Sequence, residues 1–215
     1  MILLLGLLFL LGFNSIYNYI KPTRKVVYIL RGLPGSGKTK WVQNALIDRN
    51  IKGSYEIISS NYFFMKKDNR NTFKLNPSEV PMSHSSCLND YIQNLIAKTD
   101  TIFFNNINSQ KWEYQNYISL AKIFNYDVEI IELGCDDIDH VEYYKDRSKI
   151  EVPLKVCKGL YNKWEYDSRS EIIPAYIENF PGDSFPYPKK TKKELDNELD
   201  CIYYQRLNSL YTKNI

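Results

Sequence analysis

The sequence predicts an α/β fold of three layers, in which a parallel β-sheet lies between helices. Short runs rich in β-branched and aromatic residues alternate along the chain with segments whose apolar residues recur every three or four positions. Strands that alternate with helices form parallel sheets covered on both faces, because each connecting helix packs back onto the sheet. The chain has 215 residues, which suits one domain of ordinary size with additions at its termini.

The alternation assigns four strands and five helices, with a polar, Asn- and Lys-rich excursion after the second strand that extends to Pro81. No internal repeat is present. The strands are predicted at 25–30, 55–59, 101–105 and 127–133, and the helices at 38–50, 83–97, 110–124, 137–147 and 153–165.

A glycine-rich segment, GLPGSGKT, joins the first strand to the first helix. Its spacing fits GxxxxGK[ST], in which the glycines let the backbone fold around phosphates with its N–H groups pointing inward. The lysine adds a cation for the outer phosphates, the threonine hydroxyl ligates Mg²⁺, and the helix N-terminus favours an anion. The sequence therefore predicts binding of ATP or GTP with Mg²⁺ by Gly32, Leu33, Pro34, Gly35, Ser36, Gly37, Lys38 and Thr39.

The first 20 residues are strongly apolar, and Ile2 to Phe13 contains only Ile, Leu, Phe and Gly. About 20 residues of helix span a bilayer, so we expect a transmembrane anchor here. Basic residues follow directly within 21–25, which places the remaining chain in the cytosol. The alternative is a cleaved signal peptide, which would direct the protein to the secretory pathway, but the basic start and the cleavage site typical of such peptides are missing.

Composition and the C-terminal region give weaker information. The net charge of +3 is too small for a protein that coats DNA, and the four cysteines are scattered without metal-ligand spacing.

After the domain predicted at 25–173, residues 174–215 consist of a Pro- and Lys-rich connector and a helix with one apolar stripe. That stripe packs on the domain or binds a protein partner. The lysine cluster at 189–193 is interpreted as a solvated surface, with lipid or RNA contact as the alternative.

Four stretches of the chain resemble one known family. LRGLPGSGKT, ISSNYFF with the following FKLNPSEVPMSH, the segment beginning FFNNINSQKW, and RSKIEVP occur in the order and spacing of that family's motifs, from about residue 25 to 165. They are similar to the polynucleotide-kinase-like P-loop proteins, which include the kinase half of the phage enzyme and animal Nedd-four-binding-protein-like ATPases. The resemblance implies a kinase-like P-loop NTPase fold with a helical lid.

The resemblance also implies roles for individual residues. Arg147, in the lid motif, would steady charge on the transferred phosphoryl group, as Lys38 does from the loop. Thr39 and Asn105 would hold Mg²⁺ or its waters, although Asn105 replaces an aspartate of the family.

Two further substitutions fall where the family carries acids. Ser60 occupies the position of the aspartate that accepts the proton of the substrate hydroxyl, and Asn61 replaces the second acid. A serine cannot serve as that base, so we expect nucleotide binding to persist while turnover falls. Four other carboxylates are candidates to replace the missing base: Asp68, Glu132, Asp136 and Asp137.

Two classes of function follow. As an enzyme, the protein would transfer the γ-phosphoryl group of ATP to a hydroxyl, with the 5′-end of a single-stranded polynucleotide as the acceptor that the resemblance favours and a small molecule as the alternative. As a binding module, it would report nucleotide occupancy to a partner. The three tryptophans, Trp41, Trp112 and Trp164, are interpreted as core residues, with stacking on a base as the alternative.

Overall fold

The computed structural model describes residues 24–65, 73–74, 76–135, 137–148 and 150–174. The chain divides into two compact units after residue 176, and the described residues all belong to the first unit. The predicted membrane segment at 1–20 lies outside the described residues, as does the predicted C-terminal region apart from Pro174. None of the described helices is long and apolar enough to cross a membrane.

Five parallel strands form the central sheet in the order β2-β4-β1-β5-β7, which confirms the predicted α/β fold. Strand β1 is central, and its register pairs Leu30 with Asn105 of β4 and Gly32 with Leu133 of β5. Strands β3 and β6 form a separate two-stranded parallel sheet. The bounds are β1 Val26–Gly32, β2 Tyr55–Ile58, β3 Phe73–Lys74, β4 Thr101–Asn105, β5 Asp127–Gly134, β6 Ile150–Glu151 and β7 Ser170–Pro174.

Within the described ranges, six α-helices connect the strands, and five of them match predicted helices within a few residues. Their bounds are α1 Lys38–Asp48, α2 Asn61–Met65, α3 Val80–Ile96, α4 Trp112–Ile123, α5 His140–Arg147 and α6 Leu154–Asn162.

Helix α3 begins three residues before the predicted start. The side chain of Asn76 accepts a hydrogen bond from the Ser78 backbone N–H at 3.2 Å and caps a 3-10 turn over Pro77–Glu79, from which the helix continues. Pro81 lies in the first helical turn, where its missing N–H costs nothing. His84, which the predicted bounds place at the start of the helix, is therefore an exposed residue inside it.

The sequence analysis missed α2, the β3–β6 pair and β7. All four elements are five residues or shorter; α2 is barely more than one helical turn, and β3 and β6 have two residues each, so none of these three shows a readable period. Strand β7 is an edge strand that pairs with β5, and its sequence SEIIP lacks the long apolar run of a central strand.

The core has two halves, one on each face of the sheet. On one face, the rings of Tyr28 and Phe103 stack at 5.2 Å and Trp41 of α1 meets Tyr28 edge-on at 5.6 Å. On the other face, Val27 and Ile29 lie in a larger cluster with residues of α3 and α4. Successive residues of β1 thus face opposite helical layers, as the three-layer prediction requires.

The tryptophan predictions were right for Trp41 and wrong for Trp112. Trp41 is buried, whereas Trp112 is 69% exposed. The buried residues of α4 are Tyr114, Tyr117, Ile118 and Ala121, and at 100° per residue Trp112 lies on the opposite side of this helix.

Arg31 is the largest fully buried side chain of the described residues, and it lies at the end of β1, directly before the glycine-rich loop. All five of its N–H donors are used. They donate to the Glu132 carboxylate, to the Ser170 hydroxyl, and to three backbone carbonyl oxygens, those of Asn108, Ser109 and Glu165.

Two aromatic rings enclose the Arg31 guanidinium. Its central carbon lies 5.1 Å from the ring of Tyr114 and 5.0 Å from the ring of Trp164. The Trp164 indole N–H also donates to the second oxygen of Glu132 at 2.8 Å. One cation therefore holds together β1, β5, the segment after β4 and the segment after α6, all next to the loop.

We predict that Arg31→Met lowers the free energy of unfolding by about 3–5 kcal/mol, because Glu132 would remain as an unpaired buried charge. The measurement is urea denaturation. The matched control is Arg24→Met, since Arg24 also pairs with an acid but its side chain is 65% exposed. A loss of stability as small as that of the Arg24 variant would contradict the assigned role of Arg31.

Candidate active site at the carboxyl edge of the sheet

The glycine-rich loop has the backbone geometry that its sequence predicts. Gly35 and Gly37 have φ angles of +78° and +97°, which other residues adopt only with strain. The loop is closed by a hydrogen bond from the Ser36 N–H to the Leu33 carbonyl oxygen at 3.1 Å, and α1 begins at Lys38. The loop therefore ends at a helix N-terminus, where an anion is stabilised.

The inside of the loop fits a phosphate group. The Ser36 hydroxyl is buried and has no hydrogen-bond partner, so the fold leaves a donor free at this point. A methyl group added at Gly32 would lie 2.4 Å from that hydroxyl oxygen, so only glycine leaves this space open. An anion seated here would satisfy the Ser36 hydroxyl.

Lys38 folds back onto its own loop. Its ammonium donates to the carbonyl oxygens of Gly32 at 2.7 Å and Leu33 at 2.9 Å. Burial lowers the pKa of Lys38 to about 7, because it disfavours the charged form. A polyphosphate would provide a stronger partner for the ammonium than these two neutral carbonyls.

The structure brings the two predicted metal ligands together. The Asn105 amide donates to the Thr39 hydroxyl at 3.2 Å, across the ends of β4 and α1. Both side chains carry an oxygen that can ligate Mg²⁺ or its waters, but neither carries a negative charge. In the described part of the chain, no cluster of three or more His, Cys, Asp or Glu residues could hold a metal ion.

Ser60 belongs to a neutral hydrogen-bond network that sequence reasoning missed. The Asn106 amide oxygen accepts from the Ser60 hydroxyl and backbone N–H, both at 3.0 Å, and from the Ser59 hydroxyl at 3.3 Å. The network joins the carboxyl end of β2 to that of β4. The sequence points to this network only through the asparagines that follow β4, and it does not indicate which of their amides faces β2.

Of the candidate replacement bases at described positions, Glu132 is buried in an ion pair and Asp137 lies in an exposed turn. Glu132 contacts Arg31 through one oxygen and Trp164 through the other, so the idea that it replaces the base is wrong. The Asp137 carboxylate accepts from the Asp139 N–H at 2.9 Å as part of a turn. Asp68 and Asp136 lie outside the described residues.

Helices α5 and α6, which flank the predicted lid motif RSKIEVP, pack against each other, and α5 contacts the loop at Gly35. A methyl group at Gly35 would lie 1.7 Å from the Tyr144 carbonyl oxygen and 3.2 Å from the Ser148 backbone nitrogen. Arg147 precedes Ser148, and its guanidinium lies 5.3 Å from the Tyr143 ring. The structure thus places Arg147 in the segment that approaches the loop.

A cleft of about 460 Å³ opens beside the loop. Leu33 lines one side, the carboxyl end of β5 from Glu132 to Cys135 lines another, and Tyr161 and Trp164 contribute aromatic rings. The volume of this cleft lies within the range of small-molecule sites.

Comparisons with known proteins agree with the motifs. One relative is a protein of Acanthamoeba polyphaga mimivirus that is named a bifunctional polynucleotide phosphatase/kinase. It is 24% identical to this chain over 174 residues, which cover 78% of this chain and 34% of the viral protein. This chain thus spans about a third of the length of that relative.

Two solved structures are similar to this chain. Chaetomium thermophilum Kti12, solved with ADP-AlF3, is 16% identical with a TM-score of 0.50 over 69% of this chain and 88% of its own. A chain of the Pnkp1/Rnl/Hen1 complex is 17% identical with a TM-score of 0.47, over 80% of this chain and 51% of its own. At 16% identity the likeness to Kti12 concerns the fold alone.

One family of proteins matches the part of the chain that contains the glycine-rich loop, Asn105 and Asn106 at the end of β4, and helices α5 and α6. The AAA domain family matches residues 27–162, which is more than half of the chain. This protein is therefore a member of the AAA domain family of P-loop, kinase-like proteins.

Proposed function

We propose that this protein binds ATP or GTP with Mg²⁺ in the loop from Gly32 to Thr39 and that its capacity to transfer the γ-phosphoryl group is weak. The observation that supports nucleotide binding most directly is the buried Ser36 hydroxyl, which has no partner and lies within the loop. The cleft between Leu33 and the aromatic rings of Tyr161 and Trp164 would take the nucleoside.

The acceptor class that we propose is the 5′-hydroxyl of a polynucleotide, by similarity to the relative named as a polynucleotide phosphatase/kinase. Lys38 and Arg147 would stabilise charge on the transferred group, and Thr39 and Asn105 would hold Mg²⁺. Transfer would be slow because Ser60 and Asn106 form a neutral network where the family has its proton acceptor. A positioned general base contributes about 10²- to 10⁴-fold in rate.

A nucleotide-dependent binding module is the second candidate. The observation that favours it is the contact between α5 and the loop, since nothing larger than a hydrogen fits between Gly35 and the Tyr144 carbonyl. A nucleotide that moves the loop would therefore move α5 as well, and α5 would transmit occupancy to a partner.

We expect nucleotide binding at about pH 8 to take up a proton. Free Lys38, with its pKa near 7, is mostly neutral at that pH, and bound polyphosphate raises this pKa so that the ammonium re-forms. Calorimetry of ATP and Mg²⁺ in two buffers with different ionisation enthalpies measures the uptake, which should approach one proton at about pH 8 and vanish well below pH 7.

Two variants test the source of this proton. Lys38→Met should abolish the uptake and weaken binding about 10- to 100-fold. Lys122→Met, which removes an exposed lysine of α4, should bind as the unchanged chain does. Equal binding enthalpies in both buffers at about pH 8 would contradict the neutral state of Lys38, and absence of any nucleotide binding would overturn the proposed function.

A carboxylate at position 60 should raise phosphoryl transfer. We expect Ser60→Asp to increase Lys38-dependent labelling of a 5′-hydroxyl oligonucleotide by γ-labelled ATP, up to about 10²-fold, by restoring a proton acceptor. Ser60→Asn is the matched control, because asparagine has nearly the size of aspartate but no charge. This variant should leave the rate of transfer low. If the unchanged chain labels the oligonucleotide rapidly and Ser60→Asp adds nothing, another group serves as the base and the proposed loss of catalysis is wrong.

A further inference from the structure

Neutral side chains occupy the carboxyl ends of β2 and β4, beside the glycine-rich loop. Strand β1, which leads into the loop, pairs with β4, and β4 pairs with β2. Ser59 and Ser60 follow β2, Asn105 ends β4, and Asn106 comes next. None of these four side chains carries a charge, so a polyphosphate held in the loop meets no carboxylate at these two strand ends.

The acids described near the end of β5 do not replace such a carboxylate. Glu132 is buried and pairs with Arg31, so the guanidinium balances its charge. Asp137 and Asp139 are exposed in the turn after β5. Strand β1 separates β5 from β4 by two strand spacings, roughly 10 Å, which is about one Debye length at physiological ionic strength. The charges of these two exposed acids are therefore largely screened at the end of β4.

The hydrogen bond between Asn105 and Thr39 disfavours a cation at this point. The Asn105 amide nitrogen donates to the Thr39 hydroxyl oxygen at 3.2 Å, so an N–H group and not an oxygen faces Thr39. Mg²⁺ takes oxygen ligands. A cation held by these two residues would break this bond and would gain only neutral oxygens in exchange.

The groups that would bind the anion directly do not depend on a metal. The Lys38 ammonium rests on two neutral carbonyl oxygens of the loop, and the buried Ser36 hydroxyl has no partner. The loop also ends at the N-terminus of α1, which stabilises an anion. Donors and a cation for the phosphates are therefore already present in the loop.

We infer that nucleotide affinity at this site does not require a divalent cation, and that the loop binds the free nucleoside triphosphate about as tightly as its Mg²⁺ complex. With an aspartate at position 105, a metal would relieve the repulsion between the carboxylate and the polyphosphate and would bridge the two. With the amide there is no such repulsion, and the bridge lacks its anionic end. This inference rests on the proposed function, because it concerns the same loop and the same nucleotide.

Equilibrium dialysis of the full-length chain against α-labelled ATP tests the inference. One series contains excess Mg²⁺ and the other contains EDTA, at the same pH and ionic strength. We expect the two dissociation constants to agree within about threefold, because the metal adds no charged bridge to the protein.

A carboxylate at position 105 should create a requirement for the metal. We expect Asn105→Asp to weaken ATP binding in EDTA about tenfold or more and to leave binding with Mg²⁺ intact, because a buried carboxylate repels the neighbouring polyphosphate. The Thr39 hydroxyl can donate to that carboxylate, so the local hydrogen bond is kept with its direction reversed.

Two further variants separate the charge from other effects. Asn89→Asp is the matched control, because it makes the same change of charge at an exposed position of α3 and should leave both dissociation constants unchanged. Asn105→Ala removes the amide without adding a charge and should keep the two constants within about threefold of each other. If Asn89→Asp weakens binding in EDTA as much as Asn105→Asp does, the role assigned to position 105 is wrong.

The unchanged chain decides the inference even if Asn105→Asp does not fold. Binding with Mg²⁺ that is lost in EDTA overturns the inference and leaves the proposed function in place. Absence of ATP binding in both series removes the proposed function and the inference with it. A folded Asn105→Asp variant that binds ATP in EDTA as the unchanged chain does would also contradict the argument from charge.

Discussion

The buried ion pair of Arg31 and Glu132 is the constraint on which the active-site edge depends. A guanidinium without exposure is stable only when all its donors are used, and here they are used by three carbonyl oxygens, one carboxylate and one hydroxyl. These groups come from β5, the start of β7, the segment after β4 and the segment after α6. Each of those segments must hold its position for the cation to be tolerated, and the loop follows the cation directly.

The chemistry of the site follows from neutral side chains held on this rigid edge. Ser60 and Asn106 bond to each other, Asn105 bonds to Thr39, and Lys38 rests on its own loop. Phosphate binding requires donors and a cation, which the loop retains. Proton abstraction requires a base, and the one buried carboxylate described at this edge, Glu132, is committed to Arg31 and Trp164. The proposed function, nucleotide binding with slow phosphoryl transfer, rests on this difference between the loop and the strand ends.

Sequence reasoning succeeded where the signal is local. The loop, four of the five strands of the central sheet and five of the six described helices follow from glycine spacing and apolar periodicity, which depend on residues close together in the chain. It failed for contacts between distant segments. Arg31 is an ordinary charge in the sequence, and only the pairing of β1 with β5 places it opposite Glu132. Trp112 is apolar and helical, and only the packing of α4 shows that it faces away from the core.

The sequence by itself determined that a phosphate loop joins a buried strand to a helix within a parallel α/β domain, because those features need only neighbouring residues and their backbone preferences. Tertiary structure alone decided which polar residues meet: the Asn106 amide with Ser60, the Arg31 cation with Glu132, and the α5 carbonyl with Gly35. These contacts join residues that lie from 46 to more than 100 positions apart in the chain. Their geometry is set by the order and register of the strands, which no local sequence pattern encodes.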